Sequence, residues 1–381
     1  GIETDAAART VMFHLSRPDV DFLHKLEPLQ VLPAGSPAEP LRSPTAPGTG
    51  PYIVKRWGRR SGLLVRNPRF RVWTPDRPDG FPDQIRFRHQ LTDAQIAGVE
   101  KGATDIALFD GTTDFAPRVR ARHGARLHAD LAPGTAYAFL NVRTPPFDDP
   151  RARRALNYAV DRKRLAELMS EGVTHQPTCQ MLPPGFQGYT PSCRFTANPN
   201  AAGTWTGPDL AKARRLVAAS GTRGMKVEFW GSDADAPFGP YMRRVLNQIG
   251  YRGTLRSFPF VGGIAQNATG GAHPRPQIGL FFWYANSAAP LTFFQQVLRC
   301  SGEFNFSRVC NRELDALMEQ AAQARGPEAT QLWRRVESAL ADQAATVPLL
   351  NWATTALTGE RVDNYQAHPL DGALLEQLWV E

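Results

Sequence analysis

The segment from Tyr137 to Gly172 constrains the fold most strongly, because it predicts a strand, a sharp stop and a helix start in quick succession. Large aromatic and β-branched side chains from Tyr137 to Val142 favour a strand. The Pro-Pro pair at 145–146 stops this strand, since proline has no N–H to donate to a sheet. Asp149 followed by Pro150 is typical of a helix N-terminus. The run therefore predicts a chain that leaves a sheet and enters a helix within a few residues.

The helix that follows has one apolar face, formed at helical spacing by Ala152, Ala155, Leu156, Ala159 and Val160. Asp161 can cap a second helix, and Gly172 can end it. Further along, the same kind of pattern predicts strands at 225–230, 254–258, 278–284 and 347–352, with helices near 210–217, 241–249, 311–321 and 327–340. Strands separated by helices indicate an α/β lobe.

Several of these runs carry a resemblance to a known family. The run LNVRTPPFDDPRARRALNYAVDRKRL resembles the signature of the peptide/nickel family of extracellular solute-binding proteins, which are the receptors of ABC importers. The segments GTGPY, VRNP and DLAKARRLVAASG are similar to further parts of that family's pattern. The resemblance extends from about residue 10 to the C-terminus of the 381-residue chain.

The resemblance implies an α/β, two-lobed periplasmic-binding-protein-like fold of class II, in which the first lobe is incomplete. Residues 1–145 with 347–381 would form part of the first lobe, and residues 146–346 would form the second. The incompleteness is expected because the family places the pattern at TVMFHLSRPDVDFL well inside its first lobe.

The charge of the chain is the next feature with functional meaning. A net charge of +8 is compatible with an acidic partner or nucleic acid. However, the basic residues are spread along the whole chain, and no dense basic run is interleaved with aromatics. A solvated, arginine-rich surface is the preferred interpretation, so no nucleic-acid partner is expected.

The four cysteines form two close pairs, Cys179 with Cys193 and Cys300 with Cys310. Each pair brackets a loop rich in turn residues, and no histidine completes a zinc pattern. Two local disulfides are therefore predicted, and they imply an oxidising, extracytoplasmic compartment. Four buried free thiols are the alternative.

Motifs that would indicate catalysis do not stand out. The sequence contains no Gly-x-Ser-x-Gly elbow, no His-Glu-x-x-His helix and no phosphate-binding loop. We therefore predict a protein that is not an enzyme and that requires no cofactor and no metal. No run reaches the roughly 18 apolar residues that a membrane span needs.

Binding residues are predicted at the end of the strand at 278–284. Trp283 and Tyr284 lie where a strand meets a loop, a position that often faces a ligand crevice. The resemblance aligns this run with a cleft loop, W-x-A-D-x-x-D-P, whose first acid grips the amino terminus of bound peptides in the family. Asn286 stands in place of that acid, and Ala289 replaces the second.

Three further candidates come from the strands. Asn141 matches a family position that touches ligand backbone, and a strand-end cap is an equally good interpretation of it. Tyr137 and Trp230 are weaker candidates of the same kind.

The function that the resemblance implies is an extracytoplasmic receptor. It would capture a peptide-like or other small polar ligand between two lobes and present it to an ABC permease, acting as a monomer. The alternative is a ligand-sensing domain of a larger regulatory protein with the same fold.

Overall fold

The structure is a computed structural model that describes residues 1–26, 29, 32, 35–36, 48–74, 79–109, 115–170, 173–234, 236–269 and 275–381. The chain forms two compact units. The large unit comprises Gly1–Pro28, Pro133–Leu168 and Gln176–Asn351. The small unit comprises Leu29–Ala132, Met169–His175 and Trp352–Glu381.

The strands, in chain order, are β1 (Ile2–Asp5), β2 (Thr10–Phe13), β3 (Tyr52–Trp57), β4 (Ser61–Arg66), β5 (Gln84–Arg88), β6 (Ile106–Phe109), β7 (Leu127–Leu131), β8 (Gly134–Leu140), β9 (His175–Pro177), β10 (Lys226–Ser232), β11 (Arg252–Phe258), β12 (Ile278–Tyr284), β13 (Thr346–Thr358), β14 (Val362–Asp363), β15 (Ala367–His368), β16 (Gly372–Ala373) and β17 (Trp379–Val380). The α-helices are α1 (Phe22–Leu26), α2 (Thr92–Glu100), α3 (Ala116–His123), α4 (Pro150–Ala159), α5 (Arg162–Ser170), α6 (Leu210–Ala219), α7 (Phe238–Ile249), α8 (Val261–Thr269), α9 (Pro290–Gln295), α10 (Arg312–Gln323) and α11 (Gly326–Gln343).

The sheet of the large unit runs in the order β11-β10-β12-β8-β13. Strand β10 is parallel to both of its neighbours, β11 and β12. Strand β8 is antiparallel to β12 and to the first half of β13. The register pairs Ile278 with Leu140 and Tyr284 with Gly134. The two ends of β12 therefore lie at opposite edges of this sheet.

Strand β8 forms the centre of the large unit, because all seven of its residues are buried. Its aromatic and aliphatic side chains suit a strand that is covered on both faces. The strand ends before Asn141, and the chain reaches the predicted Pro-Pro stop a few residues later. The predicted strand is thus confirmed, but it ends before it reaches the Pro-Pro pair.

Helix α4 begins as predicted, since the Asp149 side chain accepts a hydrogen bond from the backbone N–H of Arg151 at 2.7 Å. Ala152, Ala155 and Leu156 are buried on its inner face. Asp161 caps α5 by accepting from the Arg164 N–H at 2.9 Å. Gly172, the predicted end of that helix, lies outside the described residues.

Arg162, the last residue of the signature's Ala-x-Asp-Arg, is fully buried. Its Nε donates to the carbonyl oxygens of Thr178 and Pro348, both at 2.8 Å, and its Nη1 donates to that of Asn157 at 3.2 Å. Burial lowers the pKa of Arg162 to about 10, because no acidic group among the described residues lies at hydrogen-bond distance to stabilise the charge. This guanidinium joins three separate backbone segments of the large unit.

The later helices lie where they were predicted, and local signals mark their starts and ends. Gly250 ends α7 with a φ of 107°, a left-handed conformation that favours glycine because it has no Cβ. Asn311 caps α10 by accepting from the N–H groups of Glu313 and Leu314. Proline occupies the first turn of α11. Local chemistry therefore sets these helix boundaries.

Both predicted disulfides are present in the large unit. Cys179 is bonded to Cys193, with 5.1 Å between their Cα atoms, and Cys300 is bonded to Cys310, with 4.4 Å. No described cysteine is free. The prediction from sequence pairing is confirmed.

The small unit has a modest core. Strands β6 and β7 pair antiparallel with the second half of β13, and α2 and α3 pack against them. The buried cluster is Ile96, Val99, Ala107, Phe109, Phe115, Ala116, Val119, Leu127 and Leu357. A separate antiparallel sheet, β3-β4-β5, leaves Ile53, Val54 and Trp57 exposed.

The compact units differ from the predicted lobes in their boundaries. The part of the large unit that corresponds to the predicted second lobe begins at Pro133 rather than 146 and ends at Asn351 rather than 346, because β8 and the first half of β13 belong to its sheet. Residues Gly1–Pro28 group with the large unit, and Met169–His175 with the small one. Strand β2 has the alternating apolar pattern that is typical of a half-buried strand, but all four of its residues are exposed.

Candidate ligand-binding site

The candidate site begins with the geometry of the large sheet. Since β10, β11 and β12 are parallel, their carboxyl ends meet at one edge, which we call the carboxyl edge, marked by Ser232, Phe258 and Tyr284. In α/β sheets, ligands bind at the carboxyl ends of strands, where loops and helix starts supply polar groups. The amino end of β8, at Gly134, lies at the same edge.

Two aromatic side chains sit at this edge at the end of β12. Tyr284 is 50% exposed, and Trp283 is half-buried. The ring of Trp283 lies 5.4 Å from that of Phe304 and 6.3 Å from that of Phe281, and Phe281 continues to Phe306 at 5.0 Å. One face of Trp283 is thus fixed by an aromatic row that runs along the strand.

Asn286 is exposed in the loop that follows, and this loop is held at both ends. The Ala285 N–H donates to the Pro133 carbonyl at 2.9 Å. The hydroxyls of Ser287 and Thr292 lie 2.9 Å apart. The residues on either side of Asn286 are therefore held, and Asn286 itself follows Tyr284 by two positions.

Ala289 has a different role from Asn286. It is fully buried and immediately precedes α9, where it makes no side-chain capping bond. The Thr292 hydroxyl donates to its carbonyl at 2.7 Å. An acid at position 289 would therefore act as a helix cap, and its replacement by alanine removes a cap.

The structure separates Asn141 from these residues. Asn141 follows β8 and lies at the opposite edge of the sheet, level with the start of β12. It is 1% exposed; its Nδ2 donates to the Pro276 carbonyl at 3.1 Å, and its Oδ1 accepts from the Arg143 N–H at 3.1 Å. This bonding favours the strand-end cap over contact with a ligand held near Tyr284.

Tyr137 and Trp230 are core residues in this structure, so their prediction as ligand contacts needs correction. Each is 1% exposed. Burial raises the pKa of the Tyr137 hydroxyl. The Trp230 indole donates to Glu228 at 3.0 Å, and the Arg256 guanidinium lies 4.8 Å from its ring centre. Both lie in the interior of a strand, where side chains point into the packed layers rather than past the sheet edge.

Sequence reasoning missed Asp233, which follows β10 at the carboxyl edge. Its side chain is exposed and accepts a hydrogen bond from the Ser257 hydroxyl at 2.5 Å. Its backbone N–H donates to the Phe258 carbonyl at 2.7 Å. The available signal was a polar run, Ser-Asp-Ala-Asp, directly after a predicted strand.

The described residues at the carboxyl edge carry groups that can bind a ligand by ring contact and by hydrogen bonds. Within the part of the chain that the structure describes, no group of three His, Cys, Asp or Glu side chains is placed to hold a metal ion. None of the described helices has the length and apolar character needed to cross a membrane. The carboxyl edge offers an aromatic surface, a neutral amide and one carboxylate.

Comparison with known proteins identifies the family of this chain. A family model described as bacterial extracellular solute-binding proteins, family 5 Middle, matches residues 3–305. The chain is 25% identical over 385 residues to the probable di/tripeptide-binding protein 5 of Pseudomonas aeruginosa (strain UCBPP-PA14), in a match that covers 94% of this chain and 68% of that protein.

Two solved structures share the fold. One is the ABC transporter-associated periplasmic binding protein DppA from Helicobacter pylori in complex with the peptide STSA, with a TM-score of 0.67, 17% identity, and coverage of 88% of this chain and 63% of that one. The other is the ABC transporter substrate-binding protein CtaP from Listeria monocytogenes, with a TM-score of 0.78, 19% identity, and coverage of 100% and 78%. The shared two-lobed α/β architecture confirms the predicted fold class.

Proposed function

Because the chain belongs to family 5 of the bacterial extracellular solute-binding proteins, we propose that it captures a peptide-like or other small polar solute for an ABC permease. The family consists of extracytoplasmic binding proteins and not of enzymes. Two disulfides in the large unit suit that compartment. We also propose that the protein acts as a monomer.

One observation carries the proposal, namely the placement of Trp283, Tyr284 and Asn286 at the carboxyl edge. An exposed aromatic ring beside a fixed polar loop is the usual composition of a site for small polar ligands, in which apolar surface supplies contact and a few polar groups set orientation. The name of the relative in Pseudomonas aeruginosa supports a peptide-like ligand.

Asn286 directs the choice of ligand. An amide offers a carbonyl oxygen and an N–H donor but no negative charge. A hydrogen bond to a charged group contributes about 1.5–3 kcal/mol, roughly twice a neutral one. An α-ammonium at this spot would find a neutral acceptor and no opposite charge to form an ion pair. We therefore propose a ligand that presents neutral hydrogen-bonding groups to Asn286, such as a blocked peptide, a sugar or another polar metabolite.

The proposal is tested by calorimetry with Asn286→Asp. The variant should bind unblocked di- to pentapeptides about tenfold more tightly than the unchanged protein, since one charge-assisted bond corresponds to about 1.4 kcal/mol or more. Blocked peptides should show no such gain. The matched control is Ala288→Asp, which adds the same charge at another exposed position of the same loop.

Two outcomes would contradict this interpretation of the site. If Ala288→Asp improves peptide binding as much as Asn286→Asp, then general charge rather than position explains the gain. If the unchanged protein already binds unblocked peptides at micromolar affinity and Asn286→Asp has no effect, Asn286 does not contact the ligand's amino end. Asp233→Asn then shows whether Asp233 supplies the charge, because that variant should lose peptide binding.

A further inference from the structure

A concave site lies in the large unit, next to the start of β12. It is a pocket of about 480 Å³. Segments from three parts of the chain line it: the residues after β8, those before β12, and the loop closed by the Cys300–Cys310 disulfide. Neither Tyr284 nor Asn286 is among its lining residues.

The pocket is strongly basic. Arg143, Arg275 and Arg308 line it and are all exposed, whereas Glu303 is the one acid among the described lining residues. No hydrogen bond or ion pair joins these three guanidinium groups to another described residue, although other arginines nearby in sequence, such as Arg151 and Arg299, are paired. Three arginines around one pocket with a single described acid favour an anionic occupant.

The wall that carries Arg308 is fixed. The Cys300–Cys310 bond closes the loop, and the Val142 N–H donates to the Ser307 carbonyl at 2.9 Å. Phe306 packs its ring 5.5 Å from that of Phe139 in the core. Arg308 itself has a φ of 54°, a left-handed conformation that non-glycine residues rarely adopt. The backbone therefore positions Arg308 independently of any neighbouring side chain.

Asn305 stabilises the same wall. Its Nδ2 donates to the carbonyls of Arg299 at 2.9 Å and Val309 at 2.7 Å, which joins the two ends of the loop that carries Arg308.

We infer that this pocket binds a small organic anion, held by Arg143, Arg275 and Arg308 through its carboxylate or phosphate groups. The guanidinium fork matches the two oxygens of such groups. This site is separate from the proposed peptide-like site, so its occupation does not depend on that proposal.

Calorimetry with citrate at low ionic strength tests the inference, with triethyl citrate as the matched ligand that has the same carbon skeleton and no negative charge. Citrate should bind with one site per chain. Triethyl citrate should bind at least about fivefold more weakly, because it brings no carboxylate to the three guanidinium groups. Equal affinity for the two ligands would overturn the inference.

Substitutions separate the pocket from the general charge of the protein. Arg275→Gln and Arg308→Gln should each weaken citrate binding about fivefold or more, since each removes one charge-assisted contact at an exposed position. The control is Arg215→Gln, which removes one exposed arginine from α6, outside the pocket. It should change citrate affinity less than about twofold.

Equal losses in all three variants would mean that citrate binds only through the net charge of +8, and the inference would be wrong. No binding of citrate at millimolar concentration would also overturn it. A competition measurement keeps the two sites distinct: a solute bound near Tyr284 should leave citrate affinity unchanged. If saturating citrate abolishes solute binding, the two ligands share one site and the pocket is not a separate one.

Discussion

The two units bury ionisable groups of opposite kind. In the large unit, Glu337 is 8% exposed, and burial raises the pKa of its carboxyl group from 4.5 to about 7. In the small unit, His175 is 6% exposed, and burial lowers the pKa of its imidazole from 6.5 to about 4. Burial favours the uncharged form of each group. The uncharged form of Glu337 is protonated, whereas the uncharged form of His175 is deprotonated.

This difference predicts opposite responses to pH. The folded large unit binds a proton at Glu337 more tightly than the unfolded chain does, so acidification stabilises it. The folded small unit disfavours a proton at His175, so acidification destabilises it. The two units of one chain should therefore diverge in stability between about pH 4 and 7. The predictions below test this comparison in order of decreasing effect.

Arg162→Met should have the largest effect, and it should be confined to the large unit. The substitution removes a fully buried guanidinium and leaves the carbonyls of Thr178 and Pro348 without this donor. We expect a loss of about 4 kcal/mol in the free energy of unfolding, as for other buried charged networks that lose a member.

Hydrogen exchange resolved by peptide measures this loss separately in β8 of the large unit and β7 of the small unit. Lys163→Met is the control, because it removes the adjacent but exposed charge. Equal acceleration of exchange in both units would mean that they unfold together and would contradict the comparison.

Glu337→Gln should remove a pH dependence from the large unit. The Leu182 N–H donates to its Oε1 at 2.7 Å, and glutamine keeps an acceptor there. In the unchanged protein, the contribution of Glu337 to stability is fully present below pH 4.5 and is lost as the pH rises to about 7. Its size is about 3 kcal/mol, from roughly 1.36 kcal/mol per pKa unit. Urea unfolding across this range should show a slope that the variant lacks.

His175→Asn should remove from the small unit the opposite pH dependence of stability, namely the loss of stability on acidification. The Nδ1 atom of His175 lies 3.0 Å from the Ser170 hydroxyl and 3.1 Å from that of Thr174, and an asparagine side chain can make similar contacts. The stability that His175 contributes is present above pH 6.5 and is lost as the pH falls to about 4, again by about 3 kcal/mol. Exchange of β7 measured at about pH 7 and about pH 5 should differ less in the variant. An unchanged difference would exclude His175 as the cause.

The smallest effect concerns helix capping, in which the units also differ. Asp149 caps α4 in the large unit, whereas Leu91, at the corresponding position before α2 in the small unit, makes no capping bond. Leu91 is 84% exposed and extended, with φ −67° and ψ 152°, so a serine there can cap the helix. Leu91→Ser should stabilise the small unit by about 1 kcal/mol, measured by thermal unfolding. Leu91→Ala is the control and should give no comparable gain.

Local chemistry explains why much of the large unit could be predicted from sequence. The strand at 278–284, the caps at Asp149, Asp161 and Asn311, and both disulfides depend on residues close together in the chain. The end of β13 was missed, since Ala353–Thr358 is a run of small and β-branched residues whose strand character comes from pairing with β6 and β7. Tertiary pairing overrides such weak local signals.

The candidate sites were harder to predict for the same reason. Trp283 and Asn286 lie in one run, so sequence and resemblance could point to them together. The basic pocket joins segments more than 100 residues apart, and no local pattern marks Arg143, Arg275 and Arg308 as neighbours. Tyr137 and Trp230 were predicted as ligand contacts but are buried. The aromatic character of a strand residue does not reveal whether its side chain reaches the edge of the sheet.

The aromatic row along β12 also gives the protein an optical reporter. Trp283 contacts Phe304 and Phe281, and Phe306 at the far end of this row lines the basic pocket. An indole that is packed against rings on one side and only partly buried emits at a wavelength that depends on the polarity of its surroundings. A solute docked at the carboxyl edge should therefore shift the contribution of Trp283, one of eight tryptophans, to the blue. Anion binding in the pocket, which Trp283 does not line, should shift that contribution less.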